Sequence, residues 1–302
     1  MKFNRRQFPA QKYVPYEKVK NRLSLSLLAH HFSERPVRPL MPTMIEIGGI
    51  QMRENPSPLP ADVASFLNAK HAQHGVIYFS LGTNLKKENL QPDTLFKIFN
   101  VLSKLPQMIV WNYYDQSNIP GNASNILFKK WLHQSAVLSH PNVRLFFIHG
   151  GKAAIAKAQF YGVPMMGLPI SGDQAQNMDI VQCQGFGLFI DPSTNITETL
   201  IAEKVNEVLH NGSYRNAIRK FSSIYLDRPL SAKKSAVFWL EYVMRHKGAP
   251  HMQSPVRHMS FMQANNLDIF GLALLLPYAF YTAIKLVVYG LYKALALMCH
   301  FQ

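Results

Sequence analysis

Three short stretches place glycine, hydroxyl and polar side chains where an apolar run ends and a helical pattern begins. Ser80-Leu-Gly82-Thr83 follows the run Gly75 to Phe79, His149-Gly150-Gly151 follows Val143 to Ile148, and Pro169-Ile-Ser-Gly172-Asp173-Gln174 follows Val163 to Leu168. Gly82 lets a backbone amide come close to a ligand, with hydroxyls on either side. Paired glycines at a helix start make an anion site, because unpaired N–H groups and the positive end of the helix dipole face outward. His149 adds a donor toward phosphate, and an acid beside an amide, Asp173 and Gln174, suits the hydroxyls of a sugar. Each stretch has a plainer reading when taken alone. A glycine pair after a strand makes a tight turn, a single histidine caps or packs, and an aspartate ahead of a helix is an N-cap. Their order along the chain, together with Trp131-Leu-His-Gln134, points to one cleft that holds a phosphate and a sugar.

Such a cleft needs a scaffold, and the hydrophobic pattern supplies one. Strand-forming runs are read at 75–79, 107–111, 125–128, 143–148, 163–168 and 187–190. Helical spacing is read at 61–70, at 92–105 through Leu95, Ile98, Phe99 and Leu102, at 153–161, and at 198–209 through Leu200, Ile201, Val205 and Val208. The alternation predicts an α/β fold, a Rossmann-like parallel sheet covered on both faces. Ligands of such sheets bind at the carboxyl ends of the strands, where all three stretches fall. Residues 34–60 are rich in proline and read as an extended linker.

The chain has 302 residues, 48% of them hydrophobic and 16% charged, which favours a packed core over disorder. The net charge of +15 points to an anionic partner: nucleic acid, anionic lipid or a phosphate-bearing small molecule. With no long basic run and no zinc-finger or RNP-type motif, nucleic acid is the weakest of the three. Two cysteines, Cys183 and Cys299, form neither a disulfide framework nor a metal motif. Residues 1–19 lack a long apolar stretch, so no ordinary signal peptide is read. Ile269 to Ile284 is uncharged throughout, and Leu267 and the stem of Lys285 extend it toward a membrane-spanning length. Tyr278, Tyr281 and Tyr289 suit the membrane interface. A buried terminal helix of a soluble domain is the other reading of this run. Asn122, Asn195 and Asn211 head N-glycosylation triplets, which fit a lumenal domain.

Trp131-Leu-His-Gln134, His149-Gly-Gly151, Gly162-Val-Pro164 and Gly172-Asp173-Gln174, ending in Asn177, resemble the donor-binding signature of the UDP-glycosyltransferase family, in its insect and animal glucuronosyl and glucosyl members. Ile45-Glu-Ile-Gly-Gly49 and the segment from Phe238 to Ala249 are similar to family segments too. The resemblance implies the C-terminal domain of a GT-B fold plus one transmembrane helix. The implied domains are a remnant of an acceptor domain with its linker over 1–60, the UDP-sugar domain over 61–255, the transmembrane helix over 267–292 and a short tail over 293–302. Trp131 would stack on uracil, Gln134 would contact the ribose, and His149 with Gly150 and Gly151 would hold the diphosphate. Gly82 and Thr83 would close over the phosphates, while Asp173 and Gln174 would bind the sugar.

The implied activity is transfer of glucose or glucuronic acid, with inversion, from a UDP-sugar to a small lipophilic hydroxyl acceptor. No metal and no cofactor beyond the UDP-sugar are expected. The implied setting is the endoplasmic reticulum membrane, single-pass with a lumenal domain, as a homo- or hetro-oligomer with family members and without nucleic acid. Two features depart from the family. Lys157 stands where a glutamate usually takes both ribose hydroxyls, and Ala154 replaces a small polar residue. A lysine cannot accept those hydrogen bonds, although it could reach the diphosphate instead. Most of the N-terminal half has no counterpart, so no catalytic base is assigned, and His30, His31 and His74 lie outside its expected context. The alternative reading is a truncated, inactive, membrane-anchored donor-binding or partner module.

Overall fold

The computed structural model describes residues 22–34, 39–52, 56–82 and 93–300, together with the single positions 19, 37 and 90; side chains are described as far as 293. The chain divides into two compact units, one of residues 27–39 and 44–241, the other of residues 1–26, 40–43 and 242–302.

The larger unit is an α/β domain. After the short strands β1 (Ser26–Leu28) and β2 (Met44–Glu46) and the helix α1 (Ala61–Leu67), six strands build one sheet: β3 (Val76–Ser80), β4 (Met108–Asn112), β5 (Ile126–Lys129), β6 (Val143–Ile148), β7 (Met165–Gly167) and β8 (Gly187–Phe189). The sheet order is β5-β4-β3-β6-β7-β8 and every pairing is parallel. Parallel strands need crossovers, and helices supply most of them. These are α2 (Thr94–Leu102), α3 (Gln134–Leu138), α4 (Lys152–Tyr161) and α5 (Gln174–Cys183), the β4–β5 connection over 113–125 being made without a helix; after β8 follow α6 (Glu198–His210), α7 (Gly212–Leu226) and α8 (Ala232–Arg245).

Burial on both faces explains why the strands read as continuous apolar runs. Alternate residues divide between two cores. Val76, Tyr78, Val110, Phe146 and Ile148 join the side packed by α4, α5 and α7. Ile77, Phe79, Ile109, Trp111 and Phe147 join the side packed by α2 and α6. Aromatic contacts knit each layer, with Tyr78 stacked on Phe146 at 4.9 Å and Phe79 tilted against Trp111 at 4.1 Å. Helix starts carry their own signals. The Thr197 hydroxyl accepts from the Leu200 N–H at 3.1 Å to open α6, and Asn211 accepts from the Ser213 N–H at 3.0 Å to open α7.

The sheet order fixes where a ligand belongs. The chain leaves β3 toward β4 and β5 on one side, then returns to lay β6, β7 and β8 on the other. The reversal leaves a crevice beyond the carboxyl ends of β3 and β6, the position at which doubly wound sheets bind their ligands.

In the smaller unit, α9 (Phe261–Ala264) opens with a capping box between Ser260 and Gln263, and α10 (Leu267–His300) is one continuous helix with Pro277 inside it. Leu267–Lys293 is long and apolar enough to cross a membrane by length and composition. The helix continues through the segment expected to be a tail, because Ala-Leu-Ala-Leu-Met after Lys293 contains no helix breaker.

Candidate functional site

A cleft of about 730 Å3 opens at that crevice. Its wall brings together Gly82, Trp131, Gln134, His149, Gly151, Ala154, Lys157 and Gln174, which are up to 92 residues apart in sequence. Thr83 lies outside the described residues. Gly150 and Asp173 flank the cleft without forming part of its wall.

Each residue owes its place to an element end. Gly82 follows β3 and adopts φ +79°, a left-handed conformation that glycine takes without strain. His149 and Gly150 follow β6, and Gly151 is the residue before the first turn of α4. The His149 ring lies between two glycines. A Cβ on Gly151 would come within 2.5 Å of its Nε2, and a Cβ on Gly82 within 2.9 Å of its Cε1. Gly150 is pressed against α5, where a Cβ would meet the Gln174 carbonyl and the Met178 side chain at 2.8 Å each. The glycine pair therefore serves close packing as well as exposing backbone N–H groups at the start of α4.

Burial lowers the pKa of His149, while the nearby Asp173 carboxylate raises it. Its Nδ1 is buried and has no hydrogen-bond partner among the described residues. A neutral imidazole facing the start of a ten-residue helix can donate to an anion there. Trp131 also lines the cleft, with 62% of its surface exposed, an indole face open to a planar ligand.

The same wall holds an arrangement that the sequence does not reveal. Lys157 Nζ donates to Gln134 Oε1 at 2.9 Å, and Gln134 Nε2 donates to the buried Ser80 Oγ at 3.4 Å. Burial lowers the pKa of Lys157. Gln174 is divided in its duties. Its Oε1 accepts from the Ile170 and Ser171 N–H groups at 2.8 and 3.1 Å, which leaves its amide nitrogen for the cleft. The Asp173 carboxylate accepts from Asn177 Nδ2 at 2.9 Å, and that same amide reaches the Gly150 carbonyl at 3.1 Å. Ala154 is a buried part of that wall and offers it only a methyl group.

Lys152 and Asn112 also line the cleft, though the sequence does not single them out. Lys152 directly follows the glycine pair, and that position was its only signal. Its Nζ sits 2.7 Å from the Glu34 carboxylate, 118 residues away, and Glu34 also pairs with His30 at 3.1 Å. His31 is fully buried, with its ring stacked on Tyr225 at 4.0 Å, and His74 is exposed at the end of a 3-10 turn. Among the described residues no group of three or more metal-ligating side chains occurs. Asn122, Asn195 and Asn211 are all exposed.

Residues 10–301 match the family described as UDP-glucoronosyl and UDP-glucosyl transferase. The chain is 34% identical over 276 residues to UDP-glycosyltransferase UGT5 of Dactylopius coccus, covering 91% of this chain and 51% of that protein. It is 35% identical over 292 residues to UDP-glucuronosyltransferase 1A9 of Homo sapiens, covering 96% of this chain and 53% of that one. The chain thus spans about half the length of the curated relatives it matches. Among solved structures, the glycotransferase of kitacinnamycin superposes with a TM-score of 0.54 at 21% identity, over 72% of this chain and 55% of that one. The calicheamicin glycosyltransferase CalG4 gives a TM-score of 0.50 at 21% identity, over 59% and 45%. At these identities the two structures speak for the fold, a parallel-sheet α/β domain of the GT-B kind.

Proposed function

The chain belongs to the UDP-glucoronosyl and UDP-glucosyl transferase family, and from that premise we propose that its cleft binds the uridine diphosphate part of a UDP-sugar for glycosyl transfer. The transferred group is a hexose, glucose or glucuronic acid, and the acceptor is a small lipophilic molecule bearing a hydroxyl. The observation that carries the reading is the meeting, at one topological switch point, of an exposed indole with a glycine-lined helix start. An aromatic face and an anion site on the wall of one cleft fit a base and a diphosphate joined by a ribose.

In this reading the uracil stacks on Trp131, the ribose lies against Gln134, and the diphosphate meets His149 and the N–H groups that open α4. The Gln174 amide nitrogen faces the sugar. The acceptor oxygen attacks the anomeric carbon as the bond from that carbon to the β-phosphate oxygen breaks, which inverts the centre. UDP leaves with the electron pair, and the dipole of α4 stabilises the charge that gathers on it. The acceptor proton passes to a base that no described residue of this chain is assigned to supply. We place the α/β unit on the lumenal side of the endoplasmic reticulum membrane, anchored through Leu267–Lys293, with other family members or a second copy as partners. The length and composition of that helix and the exposed sequons support this placement.

Calorimetric titration of UDP into the full chain in detergent tests the reading. Binding is expected, and Trp131→Ala should weaken it by about 5- to 150-fold through the lost stacking. A native chain that takes up no UDP would remove the basis for the proposal.

A further inference from the structure

Lys152 is the first residue of α4, directly after the glycine pair, and it lines the cleft beside His149 and Gly151. Local electrostatics disfavour a cation there, because the start of a helix carries partial positive charge and attracts anions. An anion close by offsets that cost. Lys152 Nζ lies 2.7 Å from Glu34 Oε2, a carboxylate oxygen supplied from 118 residues away in sequence.

The two partners are unequal. The Glu34 side chain is only 6% exposed, whereas that of Lys152 is 54% exposed. The same Glu34 oxygen lies 3.1 Å from His30 Nδ1. The carboxylate therefore keeps a partner when the ammonium moves away, and no buried charge is stranded, which is the costly way to break such a pair. A lysine is also the side chain suited to moving. Its ammonium carries three N–H donors on a flexible four-carbon stem, and the bond to Glu34 needs one of them.

We propose that Lys152 is a ligand of the donor diphosphate that the empty cleft holds in reserve: Glu34 neutralises the ammonium until a UDP-sugar binds, and the diphosphate then takes the ammonium over. The ammonium faces an anion in both states, so the charge at the start of α4 is balanced whether the cleft is empty or filled. Charge-assisted bonds from Lys152 add to those from the backbone N–H groups and His149. Glu34 acts as the competitor that moderates donor affinity and eases the release of UDP. The inference rests on the reading of the cleft as a UDP-sugar site and deepens it by assigning one more residue to the diphosphate.

The test is calorimetric titration of the full chain in detergent, at fixed ionic strength, with UDP and with uridine. Lys152→Gln should weaken UDP roughly 10- to 100-fold, the loss of a charge-assisted hydrogen bond, and leave uridine unchanged. Lys152→Arg should keep most of the UDP affinity. Glu34→Gln removes the competitor and should tighten UDP by about 2- to 5-fold, but only while Lys152 is present; added to Lys152→Gln it should change nothing. Melting curves establish that each variant folds. Equal UDP affinity in the native chain and Lys152→Gln would make the lysine a tether for Glu34 alone, overturning the inference while the nucleotide reading stands. UDP weakened by Glu34→Gln as much as by Lys152→Gln would make the pair a structural clamp, which overturns it as well. If the native chain binds no UDP, the inference falls together with the reading on which it rests.

Discussion

His149 owes its position to two residues that lack side chains, which makes Gly151 the sharpest single probe of the cleft. Gly151 has φ −67° and ψ 135°, a conformation open to any residue, so alanine there meets no backbone strain. Its methyl group would, however, lie 2.5 Å from His149 Nε2, and the ring would have to move. Gly151→Ala is expected to lower UDP affinity by at least about tenfold, the loss of one hydrogen bond to a charged group, while the melting temperature changes little. Unchanged affinity would place His149 out of reach of the ligand. A second histidine controls stability. Burial, and then the nearby Arg228, hold the pKa of His31 down at about 4, against the opposing pull of Glu34. Below its ordinary value near 6.5 the unfolded chain binds a proton that the folded chain refuses. Stability is therefore greatest above about pH 6.5 and falls toward pH 4, by at most about 1.4 kcal/mol per pH unit for this site. His31→Phe keeps a ring against Tyr225 and should flatten this acid slope in melts between pH 7.5 and 4.5; an unchanged slope would assign it to His140 or His149, both also shifted down by burial.

At the level of elements, the pairing of β7 with β8 depends on a glycine in the same way. Gly187 lies opposite Met165, and a Cβ on it would fall 1.8 Å from the Met165 carbonyl oxygen. A backbone atom cannot turn aside as a side chain can. Gly187→Ala should therefore displace β8 and cost about 2–4 kcal/mol in urea unfolding, whereas a cost below about 0.5 kcal/mol would mean that the two strands pair in another register. The strands themselves were legible because burial on both faces leaves an unbroken apolar signature. The runs read at 75–79, 107–111, 125–128 and 143–148 match β3 to β6 to within one residue at either end. The run at 163–168 is assigned as strand only over Met165–Gly167, although Pro164 and Leu168 still bond to β6, the Pro164 carbonyl accepting from the Phe146 N–H at 2.9 Å and the Leu168 N–H donating to the Ile148 carbonyl at 2.8 Å. What local pattern cannot carry is the partner across space. The spacing of Gln134 and Lys157 says nothing of their hydrogen bond, and nothing near Glu34 announces that it holds Lys152. The sequence presents Asp173 and Gln174 as a pair for sugar hydroxyls, yet Asn177, one turn on, holds the carboxylate, while backbone N–H groups claim the amide oxygen.

For the molecule as a whole, the proposed anchoring through Leu267–Lys293 with a lumenal α/β unit makes a prediction that the surface of that unit reports directly. Basic residues flank Leu267–Lys293 at both ends, with Arg245, Lys247 and Arg257 before it and Lys285 and Lys293 within or closing it, so the positive-inside rule gives little bias. The three exposed sequons discriminate better, because glycosylation marks the lumenal side. They are not equivalent. The Asn211 Oδ1 accepts from the Ser213 N–H at 3.0 Å to open α7, while its Nδ2, the atom a glycan takes, already donates to Glu207 Oε1 at 2.8 Å, so glycosylation there must displace or share that bond. Translation of the full chain with microsomes should give mobility shifts that an endoglycosidase removes. Asn122→Gln and Asn195→Gln should each delete a shift, and Asn211→Gln should delete the weakest. Complete absence of shifts, with the α/β unit open to protease in sealed vesicles, would put the cleft in the cytosol. The acceptor would then reach it from the opposite side of the bilayer, and the proposed lumenal setting would be wrong even if UDP binds.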